Sequence, residues 1–96
     1  MNTPTIERED NDTRGQYTYQ RDGEEPAILT FERQGSILLL DKTLVPSSYR
    51  GQGVALELVK HSVADARENG WTLQPACSYV VAQFAKHPEW ADVLAS

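Results

Sequence analysis

The sequence predicts an α+β domain: a mostly antiparallel, twisted sheet with one parallel crossover, carrying two helices. Three observations predict it. Between residues 14 and 45 apolar side chains recur every second position or in short runs, broken at Asp22-Gly23 and Gln34-Gly35-Ser36, the pattern of strands joined by tight turns. From Gln52 to Gly70 the apolar spacing lengthens to the 3.6-residue period of a helix. A further apolar run at 71–77 follows, and a strand, a crossover helix and a strand make a right-handed parallel unit. At 96 residues the chain makes one domain, with a core no larger than a sheet and one or two helices.

Residues 1–13 form a polar N-terminal segment, in which 5–8 reads as a short edge strand carrying Ile6, and residues 14–96 form the domain proper. Residues 14–21 place Tyr17 and Tyr19 on one face, Asp22-Gly23 turns the chain, and 27–34 returns with Ile28, Leu29 and Phe31 to close a hairpin. After the next turn, Ile37-Leu38-Leu39-Leu40 and Thr43-Leu44-Val45 form a longer strand with little alternation. Such a strand is expected at the centre of the sheet, buried on both faces. In the main helix Val54, Ala55, Leu58, Val59, Val63 and Ala66 share one face; Glu57, Lys60, His61, Asp65 and Glu68 share the other. Gly70 stops it. Residues 71–77 return as a strand buried on one side, with Pro75 marking an edge. Residues 78–86 form a second, short helix with Val80, Val81, Phe84 and Ala85 inward, ended by His87-Pro88. Trp90, Val93 and Leu94 pack back as a tail.

Net charge is −5, and Glu7, Glu9, Asp10, Asp12, Asp22, Glu24 and Glu25 crowd the first quarter. No basic stripe is left for nucleic acid. No apolar run approaches the ~20 residues that span a bilayer, and the N-terminus is polar and acidic where a signal peptide is basic and then apolar. A soluble, cytoplasmic protein without membrane contact is expected. The single cysteine agrees, since a small secreted domain carries several in pairs.

The segment from Val45 to Ala55 carries the chemistry. It leaves an apolar strand and enters an amphipathic helix through Arg50-Gly51-Gln52-Gly53-Val54-Ala55. Glycines let backbone approach a ligand, the first helical N–H groups point at it, and Arg50 adds a positive charge, so an anion such as phosphate belongs there. A dinucleotide fingerprint would need a small residue where Leu56 stands, and the Gly-Lys-Ser or Gly-Lys-Thr of a nucleotide P-loop is absent. The plainer alternative is a tight strand-to-helix turn. Cys77 lies where strand passes to helix, and the helix N-terminus favours its thiolate; the alternative is a small buried hydrophobe. His61 reads as a surface residue and His87 as a structural one at a helix end. Cys77 and the two histidines lack zinc spacing, so no metal is expected. Tyr17, Tyr19, Trp71 and Trp90 read as packing.

Arg50-x-x-Gly53-x-Ala55 resembles the pyrophosphate-binding loop of the GNAT superfamily of N-acetyltransferases. Residues 14–94 resemble in particular its small "N-acetyltransferase domain-containing" members, through Asp22-Gly23, Thr43-x-Val45-Pro46, Arg50-Gly51-Gln52-Gly53, Ala66-Arg67, Pro75-Ala76-Cys77 and His87-Pro88-Glu89. The resemblance implies a minimal acyl-CoA N-acyltransferase fold that binds acetyl-CoA where the central strand and the post-helix strand splay apart. Arg50, Gly51, Gln52, Gly53, Val54 and Ala55 would hold the diphosphate, and the pantetheine arm would pair near Leu44 and Val45. The helices and strands with which larger members build an acceptor pocket are missing. Cys77 and Phe84 fall at the asparagine and tyrosine places of the second-helix motif. Phe84 has no proton to give, and Tyr79 is the nearest candidate acid. Cys77 beside a thioester would be a nucleophile or would shape the cleft. Glu32 or Asp41 could accept the proton of the amine. The function implied is acetyl transfer from acetyl-CoA to an amine acceptor. The alternatives are a non-catalytic acyl-CoA-binding module acting through a protein partner, and self-acylation on Cys77. The chain would act as a monomer or as a homodimer that completes the acceptor pocket.

Overall fold

The computed structural model describes residues 5–21, 23–49 and 51–95. Asp22 and Arg50, which carry one expected turn and one expected phosphate contact, lie outside them. Five strands, β1 (Thr5–Asp10), β2 (Arg14–Gln20), β3 (Ala27–Gln34), β4 (Ile37–Leu44) and β5 (Thr72–Pro75), form one sheet in that order. Helix α1 (Val54–Asn69) crosses from β4 to β5, and α2 (Ser78–Lys86) follows. All neighbours are antiparallel except β4 and β5.

Local chemistry sets each turn. Asn11 closes the first hairpin, its side-chain oxygen accepting from the amides of Thr13 (2.9 Å) and Arg14 (3.0 Å). Strand β1 pairs with β2 from Thr5↔Gln20 to Asp10↔Gly15, beyond the short 5–8 strand expected. Gly15 must be glycine for space: a Cβ there would lie 2.5 Å from the Phe31 ring and 2.8 Å from the Glu9 carbonyl. Gly35 and Ser36 join Gln34 to Ile37 in a two-residue hairpin.

Both helices lie on one face of the sheet. Tyr17, Leu29, Phe31, Leu38, Leu40 and Leu73 from the strands meet Leu58, Val59, Val63 and Ala66 of α1 and Val80 and Phe84 of α2 in one core. Trp90 and Val93, from a 3-10 segment Pro88–Val93, close it from below. Burial of such side chains, roughly 1.5–3 kcal/mol each, is what holds the two layers together. Strand β4 therefore alternates, with Leu38 and Leu40 buried and Ile37 and Leu39 only half-buried. That corrects the expectation of a central strand covered on both sides: β3 is central, and the outer face of the sheet carries no helix among the described residues.

On the helices three expectations are corrected, at Asp65, at Val81 and Ala85, and at His61, and Ser62 adds a buried hydroxyl not foreseen. Ser62 is fully buried in the apolar face of α1, its hydroxyl donating to the Val59 carbonyl at 2.6 Å. Asp65, on the expected polar face, instead accepts from the buried Tyr17 hydroxyl at 2.8 Å and pairs with Arg8, tying α1 to β1 and β2. Val81 and Ala85 point outward, because the core side of α2 is taken by Val80 and Phe84, with Tyr79 packed partly against it. His61 is half-buried, its ring edge-on to Tyr17 at 5.6 Å.

Candidate functional site

Strands β4 and β5 run together only from Ile37↔Thr72 to Leu40↔Pro75. Three features end the pairing there. Proline has no N–H to continue a ladder. The amides of Ala76 (2.9 Å) and Cys77 (3.2 Å) both turn to the Leu40 carbonyl. Opposite, β4 is bulged: Thr30 pairs with Lys42 and Phe31 with Leu40, leaving Asp41 as the extra residue. Beyond Leu40, β4 continues to Leu44 with no strand beside it on the β5 side among the described residues, while the segment after Pro75 departs into α2. The sheet splays between these two strands.

The bulge also decides which side chains face which way. Thr43 pairs with the buried Leu29 and so lies on the helix-covered face; Lys42, paired with Thr30, lies on the outer face. Thr43 meets Cys77 there, Oγ1 to Sγ 3.7 Å. Cys77 is half-buried, at the extended N-cap position of α2. Burial pushes its thiol up, but the amides of Val80 and Tyr79 in the first turn of α2, with the hydroxyl and amide of Thr43, outweigh burial and hold it below the ordinary value. Thr43 was not legible as a site residue, since only the bulged register turns it toward Cys77. Tyr79 is half-buried beside the core, and burial pushes its phenol up.

At the far end of β4, Leu44 and Val45 are exposed. The chain then makes a 3-10 turn at Ser47–Tyr49 and reaches α1 through Gly51, Gln52 and Gly53. Gly51 (φ 77) and Gly53 (φ 70) are both left-handed, and a Cβ on either would meet nothing within 4 Å. Backbone conformation, not crowding by the protein, demands glycine here. The first intrahelical bond runs from the Glu57 amide to the Gly53 carbonyl at 3.0 Å, so the N–H groups of Val54, Ala55 and Leu56 precede it, and no side chain caps them. Gln52 is spent on the loop itself, its side-chain amide donating to the Ser48 carbonyl at 2.9 Å. Arg21 stacks over the rings of Tyr49 (5.1 Å) and Tyr19 (5.5 Å). The Tyr49 hydroxyl is buried without a partner among the described residues.

The structure thus brings Leu44, Val45 and Cys77 to the splayed end of the sheet and Gly51 to Ala55 to the start of α1. Phe84 sits in the core instead, its ring 5.2 Å from Trp90 and edge-on to it. His87 stacks on Trp90 at 4.1 Å and bonds the Gln83 carbonyl through Nδ1 at 2.8 Å, a structural placement. No group of three or more metal-ligating side chains occurs among the described residues, and no described helix is long and apolar enough to cross a membrane.

Among curated proteins no match is found. The family model described as a GCN5-related N-acetyl-transferase matches residues 14–93. Its span takes in the splay, the glycine loop and both helices, and a five-stranded, mostly antiparallel sheet with one parallel pair and two main helices is compatible with that fold. By this match the chain belongs to the GCN5-related N-acetyltransferase family.

Proposed function

We propose that the protein transfers an acetyl group from acetyl-CoA to an amine, with the donor bound across the splay of β4 and β5. The edge of β4 beyond Leu40, which has no strand partner among the described residues, ends at the glycine loop and meets Cys77 at Thr43, and it carries this reading. An extended pantetheine arm finds free backbone along that edge near Leu44 and Val45. The diphosphate belongs at Gly51, Gln52, Gly53, Val54 and Ala55, where the uncapped N–H groups of Val54 and Ala55 and the absence of a Cβ on Gly51 and Gly53 leave room for an anion. Arg50, by its place in the sequence, adds a positive charge.

The donor supplies an activated thioester; the chain supplies position. An amine held ~3 Å from the carbonyl reacts with a large effective molarity. A new C–N bond replaces the C–S bond, the amine gives up a proton, and the departing thiolate takes one. Tyr79, kept protonated by burial, is the chain's nearest candidate to give it. Cys77 offers a second route, favoured by its lowered thiol and its place at the α2 N-terminus. Its thiolate takes the acetyl group as coenzyme A leaves, and the acceptor amine then displaces Cys77.

Intact mass after incubation with acetyl-CoA, beside a calorimetric titration and a Cys77→Ser control, separates these outcomes. An added acetyl group lost in Cys77→Ser establishes the acyl-cysteine route. Binding without an adduct, with multiple turnover on an amine, establishes direct transfer. Stoichiometric binding without turnover makes the chain a binding module, and no binding overturns the site.

A further inference from the structure

We propose that the outer edge of β1 takes up an extended basic segment of a partner protein as a further strand, with lysine or arginine at alternate positions set against Glu7 and Glu9. The inference stands apart from the donor site. A five-stranded sheet has two edges, and the described residues cover only one of them. Along β5 the tail folds back: Leu94 bridges to Leu73, and the Ala95 amide donates to the Leu73 carbonyl at 2.8 Å. On the opposite side β1 pairs with β2 over all six residues and has no strand beyond it among the described residues. Every second residue of such a strand turns its N–H and C=O away from its neighbour, so β1 offers a row of unpaired backbone groups. The row is held in place, because Arg8 pairs with Asp65 of α1 and lies over the Trp71 ring at 4.8 Å. A partner strand therefore meets a template that is already extended.

Charge selects the occupant. Glu7 pairs with Thr18 and Glu9 with Gln16, which puts both carboxylates on the outer face, whereas Arg8, opposite the buried Tyr17, lies on the helix-covered one. The cations near β1 are engaged on that covered side, Arg8 with Asp65 and Asp10, and Arg33 with Asp10. Neither Glu7 nor Glu9 forms an ion pair among the described residues. Beside them runs a cavity of ≈ 170 Å³ lined by Thr5, Glu7, Glu9, Thr18 and Gln20, with no hydrocarbon side chain in its wall. Glu9 joins it to a second cavity, of ≈ 460 Å³, that reaches Thr30. Open backbone groups, room and unneutralised negative charge thus coincide. A second copy of the chain is the wrong occupant. Two β1 edges paired antiparallel about Glu7 would set Glu7 against Glu7, a shift of register would set it against Glu9, and like charges directly opposite are destabilising. Basic residues at alternate positions instead repeat every ~6.6 Å along one face of a strand, which is the interval from Glu7 to Glu9. The acidic first quarter of the chain, with a net charge of −5 overall, draws such a segment in from a distance.

The test is an amide chemical-shift titration of the whole chain with a capped peptide of alternating lysine and threonine, six residues long to match β1. Saturable shifts in residues 5–10 and slowed hydrogen exchange of the β1 amides are expected. The same peptide with every amide N-methylated keeps its charge and loses its main-chain donors, and it should neither saturate nor protect β1. In the double variant Glu7→Gln, Glu9→Gln the melting temperature should hold, and the unmethylated peptide should bind roughly three- to tenfold more weakly, two cross-strand charge pairs being lost. Equal binding of the methylated peptide would mean diffuse charge attraction without strand addition, and equal binding by the double variant would mean that the carboxylates select nothing. No saturable shift at all would leave Glu7 and Glu9 as a guard against edge pairing. Each of these three results overturns the proposal, as does dimerisation of the free chain through β1 in sedimentation, and none of them bears on acetyl-CoA binding.

Discussion

Gly53 and Gly70 give a matched pair of perturbations at the two ends of α1. Their backbones are nearly the same, φ 70, ψ 22 for Gly53 and φ 72, ψ 25 for Gly70, and an added Cβ on either meets no protein atom within 4 Å. An alanine in left-handed backbone costs roughly 1–2 kcal/mol, partly offset by the smaller entropy of its unfolded chain. Gly53→Ala and Gly70→Ala should each therefore lose about 1 kcal/mol. For a domain of this size that lowers the melting temperature by roughly 4–8 °C. Only one of the two carries the candidate diphosphate site. Gly53→Ala puts a methyl group where the anion must approach the N–H groups of Val54 and Ala55; Gly70→Ala leaves the site untouched. Calorimetry should show acetyl-CoA affinity falling at least about tenfold, near 1.4 kcal/mol, in Gly53→Ala and holding in Gly70→Ala. Because strain is common to both, equal affinity in the two variants would refute the placement of the diphosphate at this loop. Unequal losses of stability would refute the claim that conformation alone demands glycine.

Three other outcomes are expected. Gly15→Ala drives a Cβ to 2.5 Å from Phe31 and from the Asp10 Cβ; overpacking of that kind costs about 2 kcal/mol, read as a drop in thermal unfolding with acetyl-CoA affinity per folded molecule retained. Tyr17→Phe removes the buried bond to the Asp65 carboxylate, a loss of about 1.5–3 kcal/mol in urea unfolding. Burial first, then Asp65, push the Tyr17 phenol up; above pH ~10 the unfolded chain sheds that proton while the folded one keeps it, so wild-type stability falls with rising pH, less steeply in Tyr17→Phe. Alkylation of Cys77 by iodoacetamide should reach half its maximal rate at a lower pH than that of an ordinary thiol, and Thr43→Val should move the midpoint up, since Thr43 favours the thiolate; a midpoint unchanged by Thr43→Val would detach Thr43 from the thiol.

The elements legible in the sequence are those fixed by neighbours close along the chain. Gly35-Ser36 sets a hairpin, Val54 through Ala66 sets one face of α1, and Gly70 ends it, each by local rules of turn, period and cap. The glycine loop was legible for the same reason, because left-handed backbone leaves its mark on residue type. What depended on tertiary layering was not. Ile37 and Leu39 are as apolar as Leu38 and Leu40, and nothing local says that both helices choose the same side. Asp65 carries the signature of a solvated helix face until Tyr17 and Arg8 arrive from strands some fifty residues earlier. Asn11-Asp12-Thr13 did carry a turn signal, and with it β1 could have been paired to its full length.

The bulge at Asp41 is the feature from which most of the candidate site follows. Were the strand unbulged, strict alternation after Leu40 would put Lys42, and not Thr43, on the helix-covered face. Cys77 would then meet a cation on a long flexible stem instead of a short hydroxyl. The insertion turns Thr43 inward to Cys77 and leaves Asp41 outward on Thr30 and Arg14. It also bends β4 at the residue where Pro75 and the paired amides of Ala76 and Cys77 release β5. The bulge thus leaves a thiol beside Thr43 on the helix-covered face and a carboxylate beside Thr30 on the bare one.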